Sequence, residues 1–355
     1  MFILALAVLL FSFYMLAIIC DEFFVPALDV IAEKWKLPSD VAGATLMAIG
    51  SSAPELCIAF IAVFRGTTHG EIGAGTIVGS AIFNILVIIG ASAVFKTAHL
   101  RWQPVIRDLS FYSASIALLL FAFWDGVVSF PEAGAFVLLY AAYLGVVAFW
   151  KNWFPEDDNN PIDIVDDEYE EIESESPTVS VTHRILGFVI PDVRVAKNQY
   201  SRALIAFALS IGLIGLLSFF MVEAAVILAE TLHIPAAIIA LTIVAAGTSI
   251  PDLLSSIAVA KQGRGDMAIS NGIGSNIFDI LVGLGLPWVV VLGMGREAIV
   301  VSTDNLLASI FLLFATVIAV FTLLVLRRWV LGRKAGWLLI GVYIMYVLYN
   351  IFQLL

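Results

Sequence analysis

The chain has 355 residues, of which 61% are hydrophobic and 13% are charged, and its mean hydropathy is +1.02. Soluble domains are about half apolar and about a quarter charged, so this composition excludes a soluble globular protein and predicts an all-α integral membrane protein. The net charge of −11 is concentrated in residues 156–175, which hold eleven carboxylates and no Lys or Arg. That excess predicts an acidic tether between membrane-embedded parts, not an acidic fold.

Hydropathy along the chain predicts ten transmembrane helices, because a spanning helix needs about 20 mainly apolar residues. The predicted domains are a first five-helix half at 1–151, an acidic loop at 152–201 that we expect to be largely disordered, and a second five-helix half at 202–355. In chain order the predicted spans are 2–31, 39–64, 71–95, 107–126, 131–150, 203–230, 235–260, 267–291, 303–326 and 335–354.

The basic residues give these helices a direction across the membrane. With the N-terminus outside, sixteen Lys and Arg residues fall on the inside, whereas only two, Arg65 and Arg296, fall outside. This bias is the positive-inside pattern of membrane proteins. We therefore predict that both termini are extracytoplasmic and that the acidic loop is cytoplasmic.

A polar motif occurs twice within the apolar sequence. The first copy is Gly50–Leu56 and the second is Gly247–Leu253. Each copy is followed by a second motif, Gly79–Asn84 or Gly274–Asp279. Charged and amide side chains are costly inside a membrane and therefore mark functional sites there. The repeated motifs are the first candidates for a substrate site.

The two copies run in opposite directions across the membrane. Five predicted helices, an odd number, separate equivalent positions, so the helix with Glu55 starts inside and the helix with Asp252 starts outside. This relation defines an inverted-topology repeat, in which the substrate site lies near the membrane midplane where the copies meet. The repeats cover 39–95 and 235–291.

The chemistry of the motifs favours a hard cation as the ligand. Pro54 and Pro251 lack the N–H that would bond the carbonyl four residues earlier, so each helix is expected to break there and turn carbonyl oxygens into a cavity. Oxygen ligands suit Ca²⁺ or Na⁺. The three carboxylates of the motifs, Glu55, Asp252 and Asp279, would balance the charge of Ca²⁺ and one monovalent cation, unless Asp279 is protonated. Residues four apart share a helical face. Such pairs are Ser51 with Glu55, Ser80 with Asn84, Thr248 with Asp252, and Ser275 with Asp279, and they are joined by Ser52 and Ser249.

Two other functions fit part of the pattern. Gly263–Asp266 matches the GxGD signature of intramembrane aspartyl proteases, but it falls in a short basic loop where Asp266 would face water. A passive cation channel is the second alternative, although channels favour rings of ligands around an axis. Both alternatives explain the paired, inverted motifs less well than a transporter does.

At these motifs the chain resembles the cation/Ca²⁺ exchanger superfamily, and within it the K⁺-dependent Na⁺/Ca²⁺ exchangers. The resemblance extends to Cys20–Leu28, Asp40–Thr45, Gly75–Ser80 and Gly265–Trp288. It implies a secondary active antiporter that exchanges Na⁺ for Ca²⁺ by alternating access, with K⁺ in symport with Ca²⁺. A Ca²⁺ antiporter with another counter-ion, such as H⁺, is the alternative. We accordingly expect no enzymatic activity, no cofactor and no nucleic-acid partner, only transported ions and the lipid bilayer, with the plasma membrane as the location.

The resemblance also implies a role for individual residues. Glu55 and Asp252 would hold Ca²⁺ and, in turn, Na⁺, and Asp279 matches the position tied to the use of K⁺. The chain departs from the pattern at Cys57 and Ile58, where relatives usually offer a hydroxyl, so one expected ligand is missing. The other implied ligands are the side chains of Ser51, Ser52, Ser80, Asn84, Thr248, Ser249 and Ser275, those of Asn276 and Ser255 beside Asp279, and the carbonyls of Ala48 and Ala245.

Overall fold

The computed structural model describes residues 2–24, 26–27, 30–31, 34, 51–65, 67–153, 186–191, 193, 199–261, 265–301 and 306–352. Most of the acidic loop predicted at 152–201, and the start of the first repeat at 39–50, lie outside the described residues. Within the described part, the chain is helical apart from short loops and four strands of two residues each.

The described residues of the first half form five helices, one for each of the first five predicted spans. Long apolar segments become helical in lipid because a helix satisfies its backbone hydrogen bonds within one segment. The bounds are Phe2–Ile19 with a π-helical end at Cys20–Phe24 for α1, Ala53–Arg65 for α2, Thr67–Phe83, a π-helical turn at Asn84–Ile88 and Ile89–Phe95 for α3, Trp102–Ala122 for α4 and Phe130–Trp153 for α5.

The second half repeats this arrangement with five further helices in the part of the chain that is described. Its second helix, α7, is interrupted at Ser249. The bounds are Gln199–Leu232 for α6, Ala236–Ile239, a π-helical turn at Ala240–Val244, Ala245–Thr248 and Ile250–Lys261 for α7, Gly265–Phe278, a π-helical turn at Asp279–Leu284 and Gly285–Gly293 for α8, Leu306–Leu326 for α9 and Arg333–Phe352 for α10.

Seven of these ten helices are long and apolar enough to cross a membrane, judged by length and composition over the described residues. The other three are α2, α7 and α10. Of α2, only 13 residues are described, and α7 is interrupted by its break. The last helix, α10, has 20 residues and begins with two basic residues, Arg333 and Lys334. Over the described residues, the ten helices follow the order of the ten predicted spans, and each helix overlaps its span.

The short strands show the symmetry between the halves. The strands are β1 (Ala98–His99), β2 (Val127–Val128), β3 (Ile299–Val300) and β4 (Val330–Leu331). In each half, one strand follows the third helix and one follows the fourth. β1 pairs with β4, and β2 pairs with β3, both antiparallel. Exchanging the halves converts one pair into the other, as an inverted repeat requires.

The last two helices of each half pack against the third helix of the other half, which carries the second polar motif. α4 and α5 pack against α8, and α9 and α10 pack against α3. Two equivalent glycines, 195 residues apart, allow this close approach: a Cβ on Gly90 would lie 2.9 Å from the carbonyl oxygen of Gly336 in α10, and one on Gly285 would lie 2.6 Å from the Cβ of Phe136 in α5. The polar faces of α3 and α8 are thus enclosed in the middle of the molecule.

An ion pair joins α2 to α6 at the periphery. Arg65 at the end of α2 pairs with Glu223 of α6. The guanidinium carbon of Arg65 also lies 4.5 Å from the centre of the Phe219 ring. Charged groups in membrane helices pair with one another, so we assign Glu223 to helix packing and not to the ion site.

We predict that Gly79→Ala destabilises the protein. A Cβ at position 79 would lie 2.7 Å from the Cβ of Ala245 and would also contact the carbonyl of Leu241, so α3 and α7 would have to separate. Overpacking of this kind costs about 1–3 kcal/mol, and thermal unfolding in detergent should show a lower midpoint. Gly145→Ala is the matched control, since a Cβ there meets no described atom within 4 Å. An equal midpoint for both variants would contradict the prediction.

Candidate ion-binding site

The two copies of the proline motif both have a turn at a serine directly before the helical segment that contains the proline. Ser249 adopts φ −84° and ψ 4° between the two segments of α7, and the helix resumes at Ile250. Pro251 therefore lies in the first turn of the new segment, where its missing N–H costs no hydrogen bond. In the first repeat, Ser52 takes the equivalent place directly before α2. The break predicted from the sequence is present in α7 at Ser249, two residues before Pro251, and the corresponding turn of the first copy is at Ser52, two residues before Pro54.

The break puts a carboxylate at the start of each helical segment. Glu55 lies in the first turn of α2, and Asp252 lies in the first turn of the second segment of α7. Helix N-termini carry partial positive charge and favour anionic side chains. Both side chains are completely buried. The fold therefore holds two ionisable groups in the centre of a membrane protein, each at a helix start.

A third buried carboxylate, Asp279, begins the π-helical turn of α8. It lies close enough to Glu55 and Asp252 for the three charges to interact. The equivalent residue of the first repeat, 195 positions earlier, is Asn84, which begins the π-helical turn of α3. The two halves therefore differ here by one charge, and the extra charge belongs to the second half.

Side chains of α3 bind both of the other carboxylates. The hydroxyl of Ser80 donates to Oε1 of Glu55 at 3.5 Å, and Nδ2 of Asn84 donates to Oδ2 of Asp252 at 3.4 Å. Ser80 also lies 2.7 Å from the hydroxyl of Ser249. One helix of the first repeat thus contacts motif residues of both repeats. The spacing of four between Ser80 and Asn84 produces this arrangement because both residues face the same side of α3.

The remaining hydroxyls complete the contact between the two halves. The Ser51 and Ser275 hydroxyl oxygens are 3.4 Å apart, and both are buried. Both hydroxyls interact with Asp252, whereas Ser52 and Ser80 lie near Asp279. The Ser80 hydroxyl, which also donates to Glu55, therefore contacts two neighbouring carboxylates.

Several buried oxygens of the site have no hydrogen-bond donor among the described residues. They include carboxylate oxygens, although buried polar atoms in proteins are almost always hydrogen-bonded. An unpaired buried carboxylate costs several kcal/mol, and a bound cation would remove that cost. These atoms are Oε2 of Glu55, both oxygens of Asp279, Oδ1 of Asn84, Oδ1 of Asn276 and Oγ of Ser52.

No three His, Cys, Asp or Glu side chains in the described part of the chain are placed as ligands of a single metal ion. One ion at this site would therefore draw on hydroxyl, amide and carbonyl oxygens in addition to at most two carboxylates. Ligand sets of this kind suit Ca²⁺ and other hard cations, which bind six to eight oxygens. The structure thus favours neighbouring cation positions that share ligands over a single position with three carboxylates.

Two other predicted ligands, the Thr248 side chain and the Ala245 carbonyl, are hydrogen-bonded to each other. Thr248 donates to the carbonyl of Ala245 at 3.2 Å, and the backbone N–H of Ser249 donates to the same carbonyl at 3.2 Å. The Ala245 oxygen thus accepts two hydrogen bonds within the helix, while the Thr248 hydroxyl also lies near Glu55. Residue Ala48 and the side chain of Ser255 lie outside the part of the chain that is described.

The amide nitrogen of Asn276 is hydrogen-bonded to residues of α3 and α4. This nitrogen, Nδ2, lies 2.9 Å from the hydroxyl oxygen of Tyr112 in α4 and 3.1 Å from the carbonyl oxygen of Ala81. Sequence reasoning missed Tyr112, because one tyrosine in an apolar helix carries no pattern that distinguishes it from a packing residue.

A fourth buried carboxylate, Asp108 of α4, lies outside the motifs and has a structural role. It accepts hydrogen bonds from Nε of Arg107 at 2.7 Å, the hydroxyl of Tyr143 at 3.3 Å and the hydroxyl of Ser270 at 3.3 Å. These contacts join α4 to α5 and α8. The paired guanidinium compensates the charge of Asp108, so this group is not a candidate for ion binding.

Comparisons with known proteins agree with this architecture. The family described as "Sodium/calcium exchanger protein" matches residues 5–149 and 202–352, which covers most of both halves. Sodium/potassium/calcium exchanger 2 of Gallus gallus is 29% identical over 97% of this chain and 76% of its own length. Sodium/potassium/calcium exchanger 5 of Homo sapiens is 32% identical over 93% of this chain and 79% of its own length.

A solved structure confirms the fold. The sodium-calcium exchanger NCX_Mj, soaked with 100 mM Na⁺ and 10 mM Sr²⁺, superimposes with a TM-score of 0.61 and 23% identity and covers 98% of both chains. The prediction of an all-α membrane protein with ten helices in two inverted five-helix repeats is therefore confirmed. The seven apolar helices of sufficient length support the same conclusion.

Proposed function

The chain belongs to the sodium/calcium exchanger protein family, and on that premise we propose that it is a secondary active antiporter that exchanges Na⁺ for Ca²⁺ and moves K⁺ together with Ca²⁺. The similar exchangers of Gallus gallus and Homo sapiens carry sodium, potassium and calcium in their names. One structural observation supports the proposal above all others. Three buried carboxylates from both inverted halves meet in the middle of the molecule, and oxygens of Glu55 and Asp279 have no donor among the described residues.

The charges of the site fit these ions. Three carboxylates carry three negative charges, which Ca²⁺ and one K⁺ balance. Glu55 and Asp252 each lie in the first turn of a helical segment, close enough for their charges to interact. They are the central Ca²⁺ ligands, which Na⁺ takes over in turn. Asp279, the charge without a counterpart in the first half, belongs to the K⁺ position. The remaining ligands are Ser51, Ser52, Ser80, Asn84, Thr248, Ser249 and Ser275 for Ca²⁺ and Na⁺, Asn276 and Ser255 for K⁺, and the carbonyls of Ala48 and Ala245.

Antiport follows from sharing one set of ligands between competing ions. Because Ca²⁺ and Na⁺ use the same carboxylates, one must leave before the other binds. An inverted repeat supplies two related conformations, which open the midplane site to opposite sides of the membrane. A ligand shifts such an equilibrium only by binding the two conformations differently. Exchange therefore requires that the ion-loaded protein interconverts between the two conformations and that the empty, negatively charged protein does not.

The orientation proposed from the basic residues places both termini outside and the loop at 152–201 in the cytoplasm, with the plasma membrane as the site of action. The two halves at 1–151 and 202–355 each contribute one repeat, at 39–95 and 235–291. Transport of this kind requires no catalytic residue and no resident cofactor, only the transported ions and the bilayer.

Uptake by reconstituted vesicles tests the proposed function. Vesicles loaded with Na⁺ are diluted into medium with radioactive Ca²⁺, with or without K⁺, and a Na⁺ ionophore collapses the gradient in the control. We expect uptake only with an outward Na⁺ gradient and with K⁺ on the Ca²⁺ side. Uptake driven by an outward H⁺ gradient alone would identify the H⁺-coupled alternative. Uptake that follows only the membrane potential would identify a channel and refute the proposal.

A further inference from the structure

The second polar motif differs between the two repeats at two neighbouring positions. Asp279 in α8 corresponds to Asn84 in α3, and Asn276 corresponds to Ala81, each pair 195 residues apart. Asn276 and Asp279 are three residues apart in α8 and therefore lie on one face of the helix. A site that serves only one of the transported ions needs features that the inverted halves do not share. Asn276 and Asp279 are two such features.

Asn276, Ala81 and Tyr112 all contact one another at the interface between the halves. Nδ2 of Asn276 lies 3.1 Å from the carbonyl oxygen of Ala81, its symmetry counterpart, and 2.9 Å from the hydroxyl oxygen of Tyr112. The Tyr112 hydroxyl in turn donates to the carbonyl of Ala81 at 3.5 Å. All three residues are completely buried. Asn276 is therefore fixed by α3 and α4 and has no access to water.

The carbonyl of Ala81 determines which way the Asn276 amide points. A carbonyl oxygen only accepts hydrogen bonds, so the atom facing it must be the amide nitrogen and not the amide oxygen. The two hydrogens of Nδ2 are then used by Ala81 and Tyr112. Oδ1 of Asn276 is left without a donor among the described residues, and Tyr112 lies near enough to Asp279 to interact with its charge.

We propose that Tyr112 is a positioning residue for the monovalent-cation site at Asp279. Its hydroxyl accepts one hydrogen of the Asn276 amide and so keeps Oδ1 of Asn276 available as a ligand beside the Asp279 carboxylate. Without the hydroxyl, the amide has one anchor instead of two, and it rotates away from the geometry that binds K⁺. The inference rests on the proposed function, since it assigns K⁺ to the position of Asp279.

Tyr112→Phe tests the inference in the full-length protein reconstituted in vesicles. The K⁺ concentration for half-maximal Ca²⁺ uptake should rise about five-fold, as expected for one lost hydrogen bond to a ligand. The Ca²⁺ concentration for half-maximal uptake at saturating K⁺ should stay nearly unchanged, because Glu55 and Asp252 retain their contacts. Tyr140→Phe is the matched control. Its hydroxyl is also buried but has no hydrogen-bond partner within the described residues, so both constants should remain those of the wild type.

The Asn276→Ala background distinguishes positioning from a general effect on structure. If Tyr112 acts through Asn276, Tyr112→Phe changes nothing further once Asn276 is alanine, because contacting residues are non-additive. An unchanged K⁺ constant in Tyr112→Phe overturns the proposal. So does a parallel rise in the Ca²⁺ constant, an equal effect in the Asn276→Ala background, or a Tyr112→Phe protein that fails to fold.

The wild-type control separates this inference from the proposed function. Na⁺-driven Ca²⁺ uptake that ignores K⁺ in the wild type would refute K⁺ co-transport and the inference together. Uptake that depends on K⁺ equally in the wild type and in Tyr112→Phe would refute only the role of Tyr112.

Discussion

Glu55→Gln is expected to reduce Na⁺-driven Ca²⁺ uptake by about two orders of magnitude, since removing one charge from a buried ion pair costs about 3 kcal/mol or more and each 1.4 kcal/mol is a factor of ten. Glutamine keeps the shape of the side chain and an oxygen that accepts from Ser80, which lies 3.5 Å from Oε1 of Glu55. Only the charge is lost. Initial rates of radioactive Ca²⁺ uptake into Na⁺-loaded vesicles measure the effect.

The same variant should fold normally, and this separates a loss of ligand from a loss of structure. Glu55 is completely buried, and its Oε2 has no donor in the described structure, so removing the charge relieves a desolvation cost when no cation is bound. We therefore expect Glu55→Gln to unfold at the wild-type temperature or above it in the absence of Ca²⁺. Added Ca²⁺ should stabilise the wild type, because a ligand of the native state raises its stability, but it should not stabilise the variant.

The exposed residue Glu297 provides the matched control for the loss of one carboxylate. Glu297→Gln should leave both uptake and the Ca²⁺-dependent shift of the unfolding temperature unchanged, because its side chain lies in a loop on the surface. Substantial uptake by Glu55→Gln would mean that Ca²⁺ binds elsewhere in the protein. A loss of uptake in both variants would indicate a general effect of carboxylate removal and not a ligand role for Glu55.

The course of the helices across the membrane could be predicted from composition. The span predicted at 203–230 is Gln199–Leu232 in the structure, and the one predicted at 267–291 is Gly265–Gly293. The limits agree to within four residues because the apolar composition and the helix extend over nearly the same segment, and a segment in lipid has no alternative to the helix. Helix order and the inverted repeat follow from the same pattern together with the duplicated motifs.

The contacts within the site could be predicted only in part. The inverted repeat predicts that the motifs of the two copies meet, and Ser80 and Asn84 of α3 do contact Glu55 and Asp252. The π-helical turns at Asn84–Ile88 and Asp279–Leu284 have no signature in composition or periodicity, because they depend on packing in the assembled helices. The contact between Tyr112 and Asn276 joins residues 164 positions apart, and no local pattern connects them.

Asp279→Asn is expected to remove the K⁺ requirement while preserving Na⁺-driven Ca²⁺ uptake. The substitution reduces three negative charges to two, which Ca²⁺ alone neutralises, so a second cation is no longer needed to compensate the buried charge. The first repeat shows that an amide fits this environment, because Asn84 occupies the equivalent position at the start of its own π-helical turn. Uptake without K⁺ should rise to within about two-fold of uptake at saturating K⁺. The reason is that the substitution removes the unpaired charge, which is costly inside a membrane.

The measurement is Ca²⁺ uptake as a function of external K⁺, with the Na⁺ gradient held constant. Asp125→Asn is the matched control, since Asp125 is exposed and bonds only the backbone N–H of Val127 among the hydrogen bonds described. It should keep the full K⁺ requirement. If Asp279→Asn retains an unchanged K⁺ dependence, another group supplies the charge that K⁺ balances. If it loses all uptake even at saturating K⁺, Asp279 is a ligand of Ca²⁺ itself, and the division of the three carboxylates between a divalent and a monovalent position is wrong.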